Sequence, residues 1–384
     1  MLKQPLFWLV LGSALAITVI TRNVFSDRNE LYGYSEDLPE ILNLVDRAYV
    51  DQVSMDKLMP GVYQGALEAV DPNASYVPPD NEPKPYWDEL YQKWGLVLDR
   101  NSGFIRILAV AQGSPAETAG LLPGSYLRRI GAISTRRMNA YQVRRDLAAW
   151  DGPLPLTVID TEHDKKLEIE LKPSPFLTPK LTAKPEGGIL LISLPHFYNG
   201  WETDLKQAMT ESFQPGTKIL LDLRNNALGS EVDLRGLASF FLGQGEIMAW
   251  KGAETAPVAL ANTAPGTYTN APLFLLVDES TTWAAETFSA TAQIQGQATV
   301  LGQATYGLPW GYEFIPLKNG GFLQFAKQNV ALPGKSILTG TGITPDREFA
   351  KEKQVDGEEK PAPTLLDQAL DYVRQAESPK RKAS

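Results

Sequence analysis

The sequence predicts an α/β protein, α+β when the whole chain is considered, in two or three domains. The first observation is a run of short strand-like segments and turns between Trp94 and Leu171. The second is a later series of almost entirely apolar segments, such as GILLISL, KILLDLR and PLFLLVD, which alternate with amphipathic ones. Strands that are buried on both faces give continuous apolar runs, and their alternation with helices indicates a sheet covered by helices. A chain of 384 residues is long enough for this arrangement.

The bulk composition excludes several classes of function. The formal net charge of −9 argues against a nucleic-acid-binding protein, because phosphate backbones attract basic surfaces. The chain contains no cysteine, which rules out disulfides, thiolate metal sites and a cysteine nucleophile. Its two histidines, His163 and His196, cannot form a multi-histidine metal site. We therefore expect neither a metal ion nor another cofactor.

Residues 1–26 contain an uncharged apolar run from Pro5 to Ile20. This run is slightly short for a bilayer span, which needs about 20 residues. An uncleaved membrane anchor is the favoured interpretation, a signal peptide cleaved near Ala14-Leu15-Ala16 is the alternative, and a buried core helix is the least favoured one. With an anchor, we expect the chain on the inner membrane with its bulk in the periplasm of the cell envelope. With a cleaved signal, the chain would be secreted or lumenal.

Residues 35–85 are predicted to form an N-terminal helical region. The segment ILNLVDRAYV, which begins at Ile41, places apolar residues at the i, i+3, i+4, i+7 spacing of one helix face. A second amphipathic stretch, LMPGVYQGALEAV, follows it. The region closes with a proline-rich loop from Asp71 to Pro85.

Residues 86–173 carry the strand-and-turn pattern and resemble a PDZ domain. The resemblance depends on Ser114-Pro115-Ala116 and Ala119-Gly120-Leu121, which match the motif of that family closely. Ser125 departs from the motif, since an aspartate usually follows the glycine there. Asn139 is predicted to cap the helix that follows it.

The PDZ resemblance implies a groove that binds an extended C-terminal peptide as an added strand. The loop that holds the terminal carboxylate would be formed by Trp94, Gly95, Leu96 and Val97. The wall of the groove would be formed by Tyr141, Val143, Arg144 and Leu147 on the helix after Asn139.

Residues 174–350 form the predicted α/β core, after a linker punctuated by prolines. Residues 351–384 are predicted to be a polar linker, a C-terminal helix and a tail. Thr364, with Asp367 three residues later, makes a capping box at the start of that helix.

Five motifs in order resemble the tail-specific, or C-terminal processing, serine proteases. They are VDPNASYV from Val70, LLDLRNNALGS from Leu220, VDESTTWAAE from Val277, ATYGLPWGY from Ala304 and GTGITPDREF from Gly340. That family has an N-terminal helical region, an inserted PDZ domain and a crotonase-like α/β core. The resemblance implies the same architecture here.

The family works by a serine–lysine dyad, in which a neutral lysine takes the proton of the attacking serine and backbone N–H groups hold the oxyanion. Alignment of the motifs places Trp283 at the position of the nucleophile and Leu308 at the position of the base. Tyr312 takes the place of a glutamine that orients the lysine. The oxyanion region keeps Leu228 and Gly229, one glycine short of the motif. The resemblance therefore implies a degenerate site with no catalytic residue.

Two hypotheses about function follow from these residues. The favoured one is a membrane-anchored pseudoprotease that binds partners through its PDZ domain and core. The expected partners are protein C-termini, unstructured peptides, an active protease or an envelope complex. A homo-oligomer is compatible with this hypothesis. The rival is an active serine endopeptidase that cleaves near protein C-termini with displaced residues. Ser280 and Ser289 are its candidate nucleophiles, but neither has a lysine at the partner position.

Three arginine pairs lie in the predicted PDZ domain of this acidic chain: Arg128–Arg129, Arg136–Arg137 and Arg144–Arg145. The simpler interpretation is a solvated face. The functional interpretation is a site for an acidic tail or for anionic lipid head groups.

Overall fold

The computed structural model of the protein describes residues 37–101, 103–253, 255–307, 311–334, 338, 340, 342–350 and 363–376. The predicted membrane segment, residues 1–26, lies outside these residues, as does Leu308 at the predicted position of the base. In the described chain, no helix combines the length and the hydrophobicity that a membrane span requires.

Helices and strands are distributed along the described chain. The helices are α1 (residues 37–48), α2 (Met55–Glu68), α3 (Trp87–Trp94), α4 (Pro115–Thr118), α5 (Ala140–Ala149), α6 (Trp201–Ser212), α7 (Glu231–Phe241), α8 (Trp283–Ile294) and α9 (Leu365–Gln375), with a 3₁₀ turn at Thr135–Arg137. The strands are β1 (Ser75–Val77), β2 (Leu96–Asn101), β3 (Phe104–Val110), β4 (Tyr126–Ile130), β5 (Ile133–Ser134), β6 (Leu154–Asp160), β7 (Lys165–Leu171), β8 (Thr182–Glu186), β9 (Ile189–Ser193), β10 (Lys218–Asp222), β11 (Gly245–Gly252), β12 (Val258–Asn262), β13 (Leu273–Val277), β14 (Ala298–Gly302), β15 (Tyr312–Pro316), β16 (Phe322–Ala326), β17 (Gln328–Ala331) and β18 (Arg347–Glu348).

The first of two compact units ends at Tyr63. Its described part, residues 37–63, contains α1 and the first turns of α2. No side chain in residues 37–63 is buried, and Ile41 and Leu44 keep 55% and 57% of their surface exposed.

The second unit begins at Gln64 and is built around a six-stranded sheet in the order β18-β14-β13-β10-β9-β8. All neighbouring strands run parallel except β8, which is antiparallel to β9. Every residue of β13 is buried, as expected for a strand covered on both faces. The predicted α/β class is therefore confirmed.

The two faces of this sheet carry different helices. Leu221 on β10 packs in a cluster with α6, α7 and α8, whereas its neighbour Leu220 points the other way and packs with Leu370 and Val373 of α9. The predicted boundary at residue 350 is therefore wrong, because α9 completes the core. Its predicted capping box is present, with Thr364 Oγ1 accepting from Asp367 N.

Two smaller sheets flank the core, in the orders β12-β11-β17 and β1-β16-β15. The first strand of the second sheet, β1, lies within the predicted proline-rich loop, and Tyr76 pairs with Leu323. The predicted helical region 35–85 therefore ends too late, since residues 64–85 belong to the second unit and contribute a strand to it.

Residues 86–173 form a small domain with the sheet order β2-β3-β4-β6-β7, β5 paired to β4, and the helices α3, α4 and α5. Asn139 caps α5 through a capping box with Gln142, as predicted. Ser125, which departs from the PDZ motif, is buried. Helix α3 was not predicted from the sequence.

Candidate functional site

A cleft with a volume of about 1020 Å³ opens at the carboxyl ends of the core strands. Its walls come from the segments that follow β9, β10 and β13, from α3 and from the start of β15. Open α/β sheets commonly bind ligands at this end of the strands. Trp283, Tyr312, Leu228 and Gly229, which the motifs place at the degenerate site, all line the cleft.

Trp283 is the first residue of α8 and follows strand β13 after a short turn. Its backbone φ of +52° lies in the left-handed region, which is unfavourable for a bulky side chain. The preceding residue fixes the turn: Thr282 N donates to Asn226 O (3.0 Å), and Thr282 Oγ1 donates to Ala227 O (2.9 Å). Such strain persists only where the surroundings enforce it. The backbone between β13 and α8 thus forms a sharp turn at residue 283, although the side chain at that residue is an indole.

The segment Ala227-Leu228-Gly229 lies against the start of α8. A Cβ atom on Gly229 would come within 2.8 Å of Ala284 Cβ, so this close approach requires glycine. Leu228 is buried and packs in one cluster with Val97 of the small domain. The remnant of the oxyanion region is therefore adjacent to residue 283.

Trp283, Trp87 and Tyr312 form an aromatic cluster in the cleft. The Trp87 and Trp283 rings meet edge to face, with 4.4 Å between centroids and 74° between planes. Tyr312 approaches Trp87 in the same way at 6.2 Å. Burial raises the pKa of Tyr312 well above its usual value, and the nearby Asp71 carboxylate adds to the rise. At neutral pH the cluster therefore offers neither a nucleophile nor a proton acceptor.

Glu286 holds the loop that leads to residue 308. Its side chain is fully buried on α8, three residues after Trp283. Glu286 Oε1 accepts hydrogen bonds from Thr305 Oγ1 and from Gly307 N, the latter at 2.8 Å. Ile343 N donates to the Thr305 hydroxyl at 2.8 Å, which joins the last sequence motif to this frame. Three of the five motifs thus meet in one hydrogen-bonded frame that shapes the loop.

The two alternative serines are both buried and engaged with backbone. Ser280 Oγ donates to Leu108 O, and Ser289 Oγ donates to Ala285 O, each at 2.7 Å. In the described part of the chain, Lys84 is the lysine that lines the cleft, and it pairs with Glu89. Nothing in this arrangement supports a displaced serine–lysine dyad.

Comparison with known proteins agrees with these observations. A family model described as Peptidase family S41 matches residues 188–349. The chain is 25% identical over 360 residues to the carboxy-terminal-processing protease of Bartonella bacilliformis, covering 90% of this chain and 82% of that protein. The chain is also 23% identical over 316 residues to a probable CtpA-like serine protease of Staphylococcus aureus (strain bovine RF122 / ET3-1). This match covers 80% of this chain and 63% of the relative, so the chain spans less than two thirds of that protein. A solved structure, the photosystem II D1 C-terminal processing protease, superposes with a TM-score of 0.65 at 18% identity over 81% of this chain and 91% of that one.

The chain is similar to C-terminal processing proteases, and its residues 188–349 match Peptidase family S41. In this chain, the predicted carboxylate loop is not a loop. Trp94 ends α3, Gly95 is a left-handed turn whose N–H donates to Tyr91 O at 2.8 Å, and Leu96 starts β2. The predicted wall of the groove is also closed, because the side chains concerned are at most 2% exposed; they are Trp94, Leu96, Val97, Tyr141, Val143, Arg144 and Leu147. These side chains pack inside the small domain or against the core and do not line an open groove.

Strand β2 forms the edge of the small-domain sheet, where an added peptide strand would pair. Asn73 already occupies this edge. Arg100 N donates to Asn73 Oδ1 (2.7 Å), and Asn73 Nδ2 donates to Arg100 O (3.1 Å). The side-chain amide thus takes the backbone hydrogen bonds that a bound peptide would make at this position.

Arg144 and Asp99 form the centre of a second buried cluster, the seam cluster, where α5 and β2 meet the core. Arg144 Nε donates to Pro85 O (2.9 Å), and its Nη2 donates to Gln324 Oε1 (3.2 Å). Its guanidinium carbon lies 4.8 Å from the centre of the Trp87 ring, a cation–π contact. Burial lowers the pKa of Arg144 to about 10, against the opposing effect of Tyr312 and Asp99, so it is charged at neutral pH.

Asp99 is 3% exposed and has no hydrogen-bond partner within 3.5 Å for its carboxylate oxygens in the described chain. Burial raises the pKa of Asp99 to about 6, while Tyr306 and Arg106 nearby act in the opposite direction. The small domain therefore contributes one buried acid and one buried base to the seam cluster.

The arginine pairs do not form one solvated face. Arg144 is buried, so the predicted preference for acidic peptides loses its main residue, and Arg145 Nε donates to Asp146 at 2.8 Å. Arg128 and Arg136 lie 5.1 Å and 5.0 Å from the centre of the Phe104 ring.

Several walls of the cleft were missed by the sequence motifs. Trp87, Trp201 and Trp250 all line it, together with the carboxylates of Asp88 and Glu202. These residues come from three distant segments that carry no shared motif. An aromatic-rich stretch such as PYWDELYQKW was the available signal, but its place in the fold was needed to interpret it.

His196 also lines the cleft and stacks on Tyr91, with 4.5 Å between ring centres. Burial lowers the pKa of His196 to about 4, so the ring is neutral at pH 7. Among the described residues, no group of three or more histidine, aspartate or glutamate side chains could hold a metal ion.

Proposed function

We propose that this protein is a catalytically inactive member of the C-terminal processing protease family that binds extended peptide segments in its cleft. The observation that carries the proposal is the identity and packing of Trp283. It stands at the strained turn where the family has its serine, and its ring packs on Trp87 at 4.4 Å. An indole at this position cannot attack a peptide carbonyl.

The dimensions and lining of the cleft support peptide binding. Its volume of about 1020 Å³ is at the upper end of the range of ligand sites in proteins, which is roughly 300–1,000 Å³. Its wall combines indole rings with carboxylates, so it offers both apolar contact and polar recognition. The loss of the nucleophile leaves this recognition surface in place.

The proposed ligands are unstructured peptides and protein C-termini, including those of an active protease or of an envelope partner. We propose that residues 1–26 attach the chain to the membrane in the cell envelope. The small domain is proposed to have a PDZ fold, which its sequence motif supports. Its groove is not proposed as the binding site, because the side chains of that groove are buried and Asn73 covers its edge.

The test uses the purified full-length chain in detergent, with an active serine peptidase as positive control. We expect no labelling by a fluorophosphonate probe and no hydrolysis of an unstructured peptide with an apolar C-terminus. Calorimetric titration of the same peptide should nevertheless give measurable binding. The variants Ser280→Ala and Ser289→Ala identify a displaced nucleophile: labelling that disappears in either variant would overturn the assignment as inactive. Absence of binding to any peptide would overturn the binding role.

A further inference from the structure

An unpaired strand edge borders the cleft. The sheet β1-β16-β15 ends at β15, and no other strand of the described chain pairs with its outer edge. Tyr312 and Phe314 of this strand line the cleft, together with Gly311 before it. Among the described strands that end a sheet, β15 is the one that contributes to the cleft wall. A ligand in the cleft therefore lies beside the backbone of an edge strand.

The hydrogen bonds between β15 and β16 show which backbone groups point outward. Lys327 N donates to Gly311 O at 3.0 Å, and Leu317 N donates to Gly321 O at 2.8 Å. Both pairs continue the antiparallel register of the two strands. Hydrogen-bonded and non-hydrogen-bonded pairs alternate along such a ladder. The odd-numbered residues of β15 therefore bond to β16, and the even-numbered residues point their N–H and C=O groups to the outer edge.

Tyr312 and Phe314 are the even-numbered residues that have both an N–H and a C=O group. The next even-numbered residue, Pro316, supports the assignment, because proline lacks an N–H and edge strands tolerate it where the N–H would face outward. No turn, loop or side chain of the described residues bonds to the backbone of Tyr312 or Phe314. Two residues roughly 7 Å apart, twice the rise of a strand, thus present four unpaired backbone groups.

The side chains of the same two residues hold this edge in place. They alternate with Glu313, which points to the opposite face of the sheet and pairs with Lys327 at 3.0 Å. The Phe314 ring meets Tyr141 of α5 edge to face, with 6.4 Å between centroids. The Tyr312 ring packs on α3 in the aromatic cluster. Because the strand is already ordered, less conformational entropy is lost when a ligand pairs with it.

We propose that the cleft binds an extended peptide as an added strand on β15, through the backbone groups of Tyr312 and Phe314. Pairing of this kind recognises the peptide backbone and leaves the side chains to select the sequence. The ligands are therefore segments that can extend and that carry no proline where their N–H must bond to β15. This inference relies on the proposed function, since it states how the cleft holds a peptide and which peptides fit. On the edge of β2, by contrast, Asn73 already takes the backbone bonds of Arg100.

The first test keeps the protein unchanged and varies the peptide backbone. The probe is an acetylated and amidated octapeptide of alternating serine and valine, titrated calorimetrically into the full-length chain in detergent. One derivative carries N-methyl groups on its serines, and the other carries the same number on its valines. Every second N–H of an added strand bonds to its neighbour. One derivative should therefore bind about tenfold more weakly than the unmodified octapeptide, and the other should stay within about threefold of it. Equal losses, or no loss in either, overturn the strand addition.

The second test removes one N–H group from the protein. Phe314→Pro and Phe314→Ala both delete the phenyl ring, but only the proline variant also loses the outward N–H. Because that N–H does not bond to β16, both variants should keep the circular dichroism spectrum of the parent chain. We expect Phe314→Pro to bind the octapeptide about tenfold more weakly than Phe314→Ala does. Equal affinities overturn the role of β15, and if the proline variant does not fold, the methylated peptides decide.

Binding of the two unmodified peptides separates strand addition from the proposed function. If the chain binds the peptide with the apolar C-terminus but not the octapeptide, recognition does not occur through the backbone. Strand addition is then overturned, while the proposed function stands. If the chain binds neither peptide, both are overturned.

Discussion

Trp87 contacts two regions of the molecule that differ sharply in polarity. Toward the cleft its ring meets Trp283 and Tyr312, so the positions at which the motifs expect a serine and an orienting glutamine are aromatic here. In the seam cluster the guanidinium of Arg144 lies against the same ring, and Asp99 is buried close by. Burying a charge costs several kcal/mol unless it is well compensated, yet the seam cluster keeps both groups.

The two regions differ in whether their buried polar side chains contribute to the architecture. In a serine–lysine dyad, the buried lysine and the serine serve chemistry, and without that chemistry a buried polar pair lowers stability. In the seam cluster, Arg144 joins the backbone at Pro85 to Gln324 on β16, so its polarity holds the small domain on the core. This contrast is what we expect if catalysis was lost, as proposed, while the architecture was kept.

The largest effect is expected from breaking the seam cluster. Arg144→Ala removes two hydrogen bonds and one of the two arginines that act on the buried Asp99, so we expect a loss of about 3–5 kcal/mol in the free energy of unfolding. Urea unfolding followed by circular dichroism measures it. Arg145→Ala is the control, because that side chain is more exposed, and its cost should stay below about 1 kcal/mol. Similar costs for the two variants would contradict the assigned role of Arg144.

The second largest effect on stability is expected from truncating the Trp283 side chain in the cleft. Trp283→Ala removes the contact with Trp87, and the loss of a large aromatic side chain should cost about 3 kcal/mol. Trp283→Gly should cost about 1 kcal/mol less than Trp283→Ala, because glycine tolerates the φ of +52°. This order is the reverse of the usual preference in helices, where alanine is more stable than glycine. Parallel urea titrations of the two variants decide it, and a more stable alanine variant would show that the strain is absent.

In the seam cluster, the titration of Asp99 should make the stability of the protein depend on pH. The pKa of Asp99 is about 6 in the folded chain, above its usual value of 3.8, so the folded chain binds the proton more tightly than the unfolded chain does. This tighter proton binding stabilises the folded chain fully below pH 4, and the stabilisation is lost as pH rises through about 6. Asp99→Asn should therefore stabilise the protein at pH 7.5, by up to about 3 kcal/mol, and have little effect at pH 4. Thermal melts of both proteins across this range test the prediction. A benefit that does not depend on pH would mean that Asp99 is not the titrating group.

The smallest effect on stability is expected at His196 on the cleft side. Its dependence on pH has the opposite sign to that of Asp99. Its pKa of about 4 lies below the usual 6.5, so its contribution is present above pH 6.5 and is lost as pH falls toward 4. His196→Phe keeps a ring against Tyr91 and removes the titration. The variant should lose less stability than the parent between pH 6.5 and 4.5 in the same melts. Parallel curves for the two proteins would show that the ring is not buried as a neutral group.

Local signals in the sequence predicted the elements better than the domains. The segment LPLTVID coincides with β6, and the capping residues Asn139 and Thr364 both cap their helices as predicted. The same amphipathic pattern that predicted α9 could not reveal which surface it covers, because its partners Leu220 and Phe274 lie far away in the chain. The two predicted boundaries that depend on long-range packing, at residues 85 and 350, therefore differ from the structure.

The candidate site shows the same division. The motifs placed Trp283, Tyr312 and Gly229 together, because Trp283 and Gly229 follow core strands and Tyr312 begins β15 of a flanking sheet. The motifs could not place Trp87, because its helix α3 is only two turns long and carries none of them. Trp87 reaches the site only because the small domain folds next to the core. The burial of Arg144 was also beyond the sequence, because an arginine on an amphipathic helix is usually solvated.

Asn73 on the edge of β2 has a consequence for the behaviour of the protein at high concentration. An unpaired edge strand is a template for pairing with another molecule, and natural proteins protect such edges. Here the protection is a side-chain amide that fills both backbone positions of Arg100, supplied by a loop from outside the small-domain sheet. This loop therefore protects one position of the β2 edge against pairing with another molecule, a task that a strand or a helix performs in many other folds.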